Sequence, residues 1–278
     1  MKVATWNINS VRLRIGLVTR FLRAHQPDVL CLQETKVENG LFPLKPFEKL
    51  GYTHHAIHGQ KGYHGVAILS RLSFSRPNAR EFCSNPDARH VSVTLANGIE
   101  LHDFYVPAGA DIPDPLVNPK FAHKLNFLRE MAQLFARRED RNSQPVILVG
   151  DLNVAPLEND VWNHKQLLDV VSHTPIETGL LGEAKAAFDW TDVTREFVPR
   201  DKKAYSWWSY RALDWKASDR GQDPQDGSPF ACNHQRHTRL EEGLGPRAGH
   251  RRDRCVTRRS RSSPRGAQTL TMISIRCA

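Results

Sequence analysis

Three observations predict an α/β fold in which sheets pack together under outer helices. Apolar runs of strand length recur through the first 150 residues. Amphipathic stretches at helical spacing separate some of them, and short turns join others. With 278 residues, 40% hydrophobic and 25% charged, the chain can bury the core of one large domain or two small ones.

The elements follow in order. KVATWNI (2–8) and DVLCLQE (28–34) read as strands. Between them VRLRIGLVTRFLRAH (11–25) sets Leu13, Leu17, Phe21 and Leu22 at helical spacing, and Pro27 closes the helix. GVAILS (65–70), HVSVTL (90–95) and IELHDFYV (99–106) are strands, the last two joined by an Asn97-Gly98 turn. Residues 120–138 form a long helix with Phe121, Leu125, Leu128, Met131, Ala132 and Phe135 on one side. VILVG (146–150) then reads as a buried strand.

No apolar run approaches the roughly 20 residues that span a bilayer. The chain starts on MKVATWNIN without a charged-then-apolar leader, so a cytoplasmic protein with no membrane partner is expected. Cys31, Cys83, Cys232, Cys255 and Cys277 are odd in number and widely spaced, which fits neither a disulfide framework nor a zinc site.

The net charge of +9 is unevenly distributed. Up to Arg220 there are 28 Lys and Arg against 25 acids, a net of +3; from Gly221 onward there are 11 Arg, no Lys and 5 acids, a net of +6. All six tryptophans precede Gly221, and neither helical nor strand period survives beyond it. Residues 1–220 therefore read as the folded domain. Residues 221–278 read as an Arg-rich tail, either disordered or translated out of frame.

Chemistry concentrates where strands end. In an extended strand positions i and i+2 face one way, so Asp151 and Asn153 leave the end of VILVG together. A carboxylate beside an amide suits a phosphate, the acid holding a metal or a proton and the amide donating to oxygen. The alternative is a strand-end Asx turn. Asn7 ends the first strand, or caps the helix after it. Glu34 ends the second, where a charge needs a metal or a partner such as Lys36. Mg²⁺ needs only one or two carboxylates plus substrate phosphate. Tyr105, before Pro107 and Gly109, is a phenol able to bond a phosphate or assist proton transfer, or else a half-buried strand residue. YSWWSYR (205–211) interleaves aromatics with Arg211, suiting an unstacked base or sugar and a phosphate, or else a tryptophan-rich core.

TWNINSVR, DVLCLQETK, GQKGYHGVAILSR, YVPAG, GDLNVAP and YSWWSYRALDW, in this order, resemble bacterial exodeoxyribonuclease III over residues 1 to about 220. That family comprises Mg²⁺-dependent abasic-site endonucleases and 3′–5′ exonucleases of base-excision repair. The resemblance implies a four-layer α/β sandwich with two central mixed sheets. It implies a metal site drawn from Asn7, Glu34, Asp151 and Asn153, occupied by Mg²⁺ or Mn²⁺. Catalytic roles fall to Tyr105, Asp151 and Asn153, with Asp151 handling the proton. Gly62, Tyr63 and His64 lie in a loop near DNA, and Trp207 in the pocket for the abasic sugar. Double-stranded DNA is the implied partner and a monomer the implied state.

Past Arg220 the resemblance stops. The family would continue with an Arg-Leu-Asp-like strand and a Ser-Asp-His-like motif, whose Asp–His pair belongs to the catalytic constellation. No Asp immediately precedes His234, His237 or His250, and no His follows Asp253. Thr269-Leu270-Thr271-Met272-Ile273 can be encoded ACC CTG ACC ATG ATC, which read from its third base gives Pro-Asp-His-Asp. The expectation is a C-terminal part that is incomplete, a sheet edge without its closing strand, and a rate lowered about 10²–10³-fold by the missing donor. Two other readings remain at this point. One is a non-catalytic DNA-binding remnant, salt-sensitive and indifferent to Mg²⁺. The other is a phosphatase on the same scaffold.

Overall fold

The computed structural model describes residues 1–138, 145–205, 207–208, 269–270 and 276–277. The chain runs through β1 (Val3–Asn7), α1 (Val11–His25), β2 (Val29–Gln33), α2 (Lys45–Glu48), β3 (His54–His58) and β4 (Val66–Ser70). It continues with β5 (Phe74–Ala79), β6 (His90–Leu95), β7 (Glu100–Tyr105), α3 (Pro119–Ala136), β8 (Val146–Asp151) and α4 (His164–Leu167). α5 (Pro175–Ala186), β9 (Thr191–Asp192), α6 (Val193–Phe197), β10 (Trp207–Trp208), β11 (Thr269–Leu270) and β12 (Arg276–Cys277) complete it.

Two six-stranded sheets form, ordered β10-β12-β1-β2-β4-β3 and β5-β6-β7-β8-β11-β9. Both are mixed: β1 and β2 are parallel while β2, β4 and β3 alternate; β5, β6 and β7 alternate while β7 and β8 are parallel. Three apolar cores separate four layers. Trp6, Ile8, Val18, Leu22, Phe47 and Tyr52 fill the space between the first sheet and α1 and α2. Val29, Cys31, Ile68, Val93, Leu101 and Val149 pack between the sheets. Phe104, Phe121, Leu128, Phe135, Leu148 and Leu181 pack the second sheet against α3 and α5. This is the expected four-layer sandwich.

Two expectations need correction. The buried stripe of α1 runs through Val11, Val18 and Leu22, with Ile15 partly covered, whereas Leu13 is 76% exposed and Leu17 faces outward. The buried residues keep regular helical spacing on the face adjacent to the one expected, and the helix is interrupted by non-helical angles at Arg14 (φ −114°, ψ 17°). The sheet edges expected to lie bare are partly occupied. Thr269–Leu270 pairs with Ile147–Leu148 of β8, and Arg276 pairs with Asn7 of β1.

Gly150 sets how closely β8 approaches β7. Its φ is +138°, and a Cβ there would lie 1.9 Å from Phe104 O. Gly150→Ala is therefore expected to destabilise the fold by about 2–4 kcal/mol. A chemical-denaturation midpoint equal to that of the unmutated protein would contradict this.

The inward faces of four central strands share one gradient. Val3, Val29, Leu101 and Ile147 are apolar; Thr5 and Asp103 are buried and polar in the middle; Asn7, Gln33, Tyr105 and Asp151 come last. Gln33 Nε2 donates to Asp103 Oδ1 at 2.6 Å and to Thr5 Oγ1 at 2.9 Å. Burial pushes the Asp103 carboxyl well above its ordinary range, against the opposing hydrogen bond from Gln33. A raised folded-state value means that the neutral acid's contribution is complete below the unfolded value of about 4. It is lost as pH rises towards the folded value. Asp103→Asn keeps an acceptor oxygen and removes the ionisation. Its urea midpoint should therefore fall less than the native one between about pH 4 and pH 8; parallel curves would contradict the assignment.

Candidate active site

The polar ends of both sheets meet at one point. Asn7 is fully buried, and its Nδ2 donates to Glu34 Oε1 and Asp151 Oδ2, each at 2.8 Å. One amide thus ties a carboxylate of the first sheet to a carboxylate of the second. Its own Oδ1 accepts from Asn9 N at 3.1 Å, which fixes the amide's orientation. The helix cap suggested for Asn7 belongs instead to Ser10, whose side chain accepts from Leu13 N.

Glu34 reaches this point through a backbone reversal. Strand alternation turns Gln33 inward and would turn Glu34 outward, but β2 stops at Gln33 and Glu34 adopts φ +53°. A non-glycine residue in that region costs about 1 kcal/mol or more, and such residues cluster at functional sites. The turn is held by Ser10 N donating to Glu34 O (2.7 Å) and Thr35 N donating to Gly65 O (3.1 Å). Tyr105 Oη donates to Glu34 Oε1 at 2.9 Å. Lys36 Nζ pairs with Glu34 Oε2 at 2.9 Å, so the lysine partner foreseen in the sequence is present as well.

Asp151 is 3% exposed and Asn153 7%. Asn153 N donates to Asp151 Oδ1 at 3.1 Å, so the Asx turn also forms, and it aims the other carboxylate oxygen at Asn7. Asn153 itself takes φ +50°, and its Nδ2 donates to Val106 O at 2.7 Å. The side chains of Asn7, Glu34 and Asp151 are thus brought together, and Asn153 joins them through its backbone N–H.

A second group flanks Tyr105. The Arg89 guanidinium lies 4.8 Å from the centre of the Tyr105 ring and donates to Tyr105 O at 3.3 Å. Asp87 accepts from Arg89 Nε at 2.9 Å and faces His64 and His123. Burial acts to raise the Asp87 carboxyl, but the hydrogen bond and charge of Arg89 hold it below its ordinary value. Burial and then the Arg89 charge lower His64. Of the loop expected near DNA, Tyr63 is 70% exposed, Gly62 has φ +76°, and His64 lies beside Tyr105. Trp207 is described only as backbone in β10, and Arg211 lies outside the described residues. Asp87, Arg89 and His123 gave no signal in the sequence, since no short spacing links them to Tyr105.

Two carboxylates bridged by one amide NH2 concentrate negative charge that Lys36 only partly offsets, while a phosphodiester brings more. A hard cation with oxygen ligands matches this donor set, and Glu34 with Asp151 supplies the oxygens. Among the described residues no group of three or more His, Cys, Asp or Glu side chains is placed to hold a metal ion by itself.

Buried acids, an amide bridge and a phenol at the polar rim of paired sheets define a phosphoester-hydrolase type of site. The chain belongs to the endonuclease/exonuclease/phosphatase family, whose model matches residues 4–270. It is 30% identical over 231 residues to exodeoxyribonuclease III of Haemophilus influenzae, covering 76% of this chain and 81% of that protein. An AP endonuclease from Archaeoglobus fulgidus superposes with a TM-score of 0.70 at 30% identity, covering 78% of this chain and 81% of that one. A 3′ phosphatase from Neisseria, bound to a product DNA hairpin, gives a TM-score of 0.69 at 26% identity, covering 78% and 82%. The protein is an enzyme of this hydrolytic family. Among the described residues no helix is long and apolar enough to cross a membrane.

Proposed function

We propose that this protein is a DNA-repair nuclease dependent on Mg²⁺, or on Mn²⁺ in its place. It would cleave phosphodiester bonds of duplex DNA at abasic sites and from 3′ ends. It would act as a cytoplasmic monomer, with residues 1–220 as the catalytic domain. The single observation that carries this reading is the Asn7 amide linking Glu34 and Asp151 across the two sheets. The similarity to exodeoxyribonuclease III and to AP endonucleases supports the substrate class.

Glu34 is the residue to hold the ion, with Asp151 at its edge. When bound, the ion neutralises the charge that grows on the phosphoryl oxygens. Asp151 orients a water for in-line attack and accepts its proton, or returns one to the leaving oxygen. Asn7 keeps that carboxylate in register with Glu34. Asn153 and Tyr105 would give up hydrogen bonds they now make, to Val106 O and to Glu34, to donate to the phosphate oxygens. Tyr63, Trp207 and Arg211 contact the DNA around the extruded sugar, which costs least to expose where the base is missing.

Residues 221–278 lack the Asp–His pair, so this chain turns over slowly. The deciding assay is incision of a duplex with one abasic site, with and without Mg²⁺, plus a duplex ending in a 3′ phosphate. Slow Mg²⁺-dependent incision is expected. Salt-sensitive binding without cleavage, even after the reading frame is restored, would make the chain a DNA-binding remnant. Release of 3′ phosphate alone would make it a phosphatase, the reading favoured by the Neisseria likeness.

A further inference from the structure

Asn153 is held from behind by charges that lie away from the Asn7–Glu34–Asp151 group. Lys124, in the second turn of α3, is completely buried, and its stem passes Gly109, where a Cβ would sit 2.9 Å from Lys124 Cδ. Its ammonium donates to Asn153 O at 2.7 Å, Ala108 O at 3.2 Å and Ser172 Oγ at 3.1 Å, and pairs with the Glu177 carboxylate. Glu177 is equally buried. It closes the capping box of α5, accepting from Thr174 Oγ1 at 2.6 Å and from Ser172 N at 2.8 and 2.9 Å. The same segment grips the next residues: Ala155 N donates to Ser172 O at 2.8 Å, and His173 Nδ1 bonds Ala155 O at 2.7 Å.

Stability does not account for such a pair. Replacing a buried ion pair with apolar groups of similar size is often neutral or stabilising, whereas removing one partner is costly. The pair does fix the loop after β7 and the loop after β8 through a backbone carbonyl of each, at Ala108 and Asn153. These loops follow Tyr105 and Asp151.

We infer that Lys124 and Glu177 form a positioning pair that locks Asn153 and the loop after Tyr105 into the geometry the phosphodiester needs. The inference rests on the nuclease reading. It also accounts for Asn153 and Ser172 keeping positive φ (50° and 81°).

The test is the double variant Lys124→Met with Glu177→Leu in the full chain, which leaves no lone buried charge. Circular dichroism and thermal unfolding report folding. Single-turnover incision of an abasic duplex, affinity for that duplex, and hydrogen–deuterium exchange of residues 153–155 report position. The expected result is a folded protein whose incision rate constant falls about 10–100-fold while DNA affinity changes by less than about threefold. Exchange rises at 153–155. A purely structural role would lower the active fraction and leave the rate constant of the folded molecules alone. An unchanged rate constant, or unchanged exchange at 153–155, overturns the inference. Should the double variant not fold, Ser172→Ala removes one acceptor of Lys124 and is judged by the same two readouts. Absence of incision by the unmutated chain and by its frame-restored form would count against the nuclease reading. The exchange measurement would then decide the positioning role alone.

Discussion

Replacing residues 221–278 with the reading of the shifted frame is expected to raise Mg²⁺-dependent incision of an abasic duplex by about 10²–10³-fold. The reason is electrostatic. An attacked phosphodiester accumulates negative charge, and each preorganised donor lost from a water-excluded site removes one stabilising interaction. The present tail supplies arginines but no Asp–His pair. Its position in the fold makes the shifted reading specific. Leu270 of β11 lies parallel to and level with Leu148 of β8, three positions before Asp151. The shifted codons place Asp and His at 270–272, so a strand continuing in that register would deliver them beside Asp151. The check compares both chains at equal active-site concentration. Equal rates would show that the tail does not impair the enzyme, and the frame-shift explanation would fall with that result.

The strands that carry the site are legible as apolar runs, closed by an acid or amide in β1, β2 and β8 and by Tyr105 in β7. β1, β2, β4, β6, β7 and β8 all lie within a residue or two of their expected bounds. What the sequence does not expose is anything that depends on backbone reversal or on contacts between sheets. Glu34 follows an inward-facing Gln33, and period-two alternation alone would turn it away from Asn7; only its positive φ brings it in. Lys124 sits among Phe121, Leu125 and Leu128 on a buried helix face, where periodicity predicts an apolar residue. Its partner Glu177 lies 53 positions later in sequence, beyond any local pattern. The Thr174–Glu177 capping box with Pro175 between was readable as a helix start and would have located α5. β3 and β5 are poor in apolar alternation, carrying His54, His55 and His58 in one and Arg76 and Pro77 in the other, so neither announces itself.

Asp151→Asn is expected to lower the incision rate constant by about 10²–10⁴-fold while leaving the fold intact. The substitution preserves shape in a position that is 3% exposed, so packing is kept. It removes the proton acceptor, and it turns a carboxylate that accepts from both Asn7 Nδ2 and Asn153 N into a group with one acceptor oxygen. Glu34→Gln should reach a comparable loss by a different route. Glu34 accepts from Asn7, Tyr105 and Lys36 at once, and in the proposed mechanism its charge draws the ion. The two variants therefore separate in a magnesium titration. Glu34→Gln should raise the half-saturating Mg²⁺ concentration by about 10–100-fold, whereas Asp151→Asn should shift it much less and depress the plateau instead. Because the Asn7 amide couples the two acids, losses in Asn7→Ala combined with Asp151→Asn should fall well short of the product of the single losses. Independent, multiplicative losses would mean that Asn7 does not hold the acids in register. Identical magnesium curves for Glu34→Gln and Asp151→Asn would mean that ion and proton are handled by one carboxylate rather than divided between two.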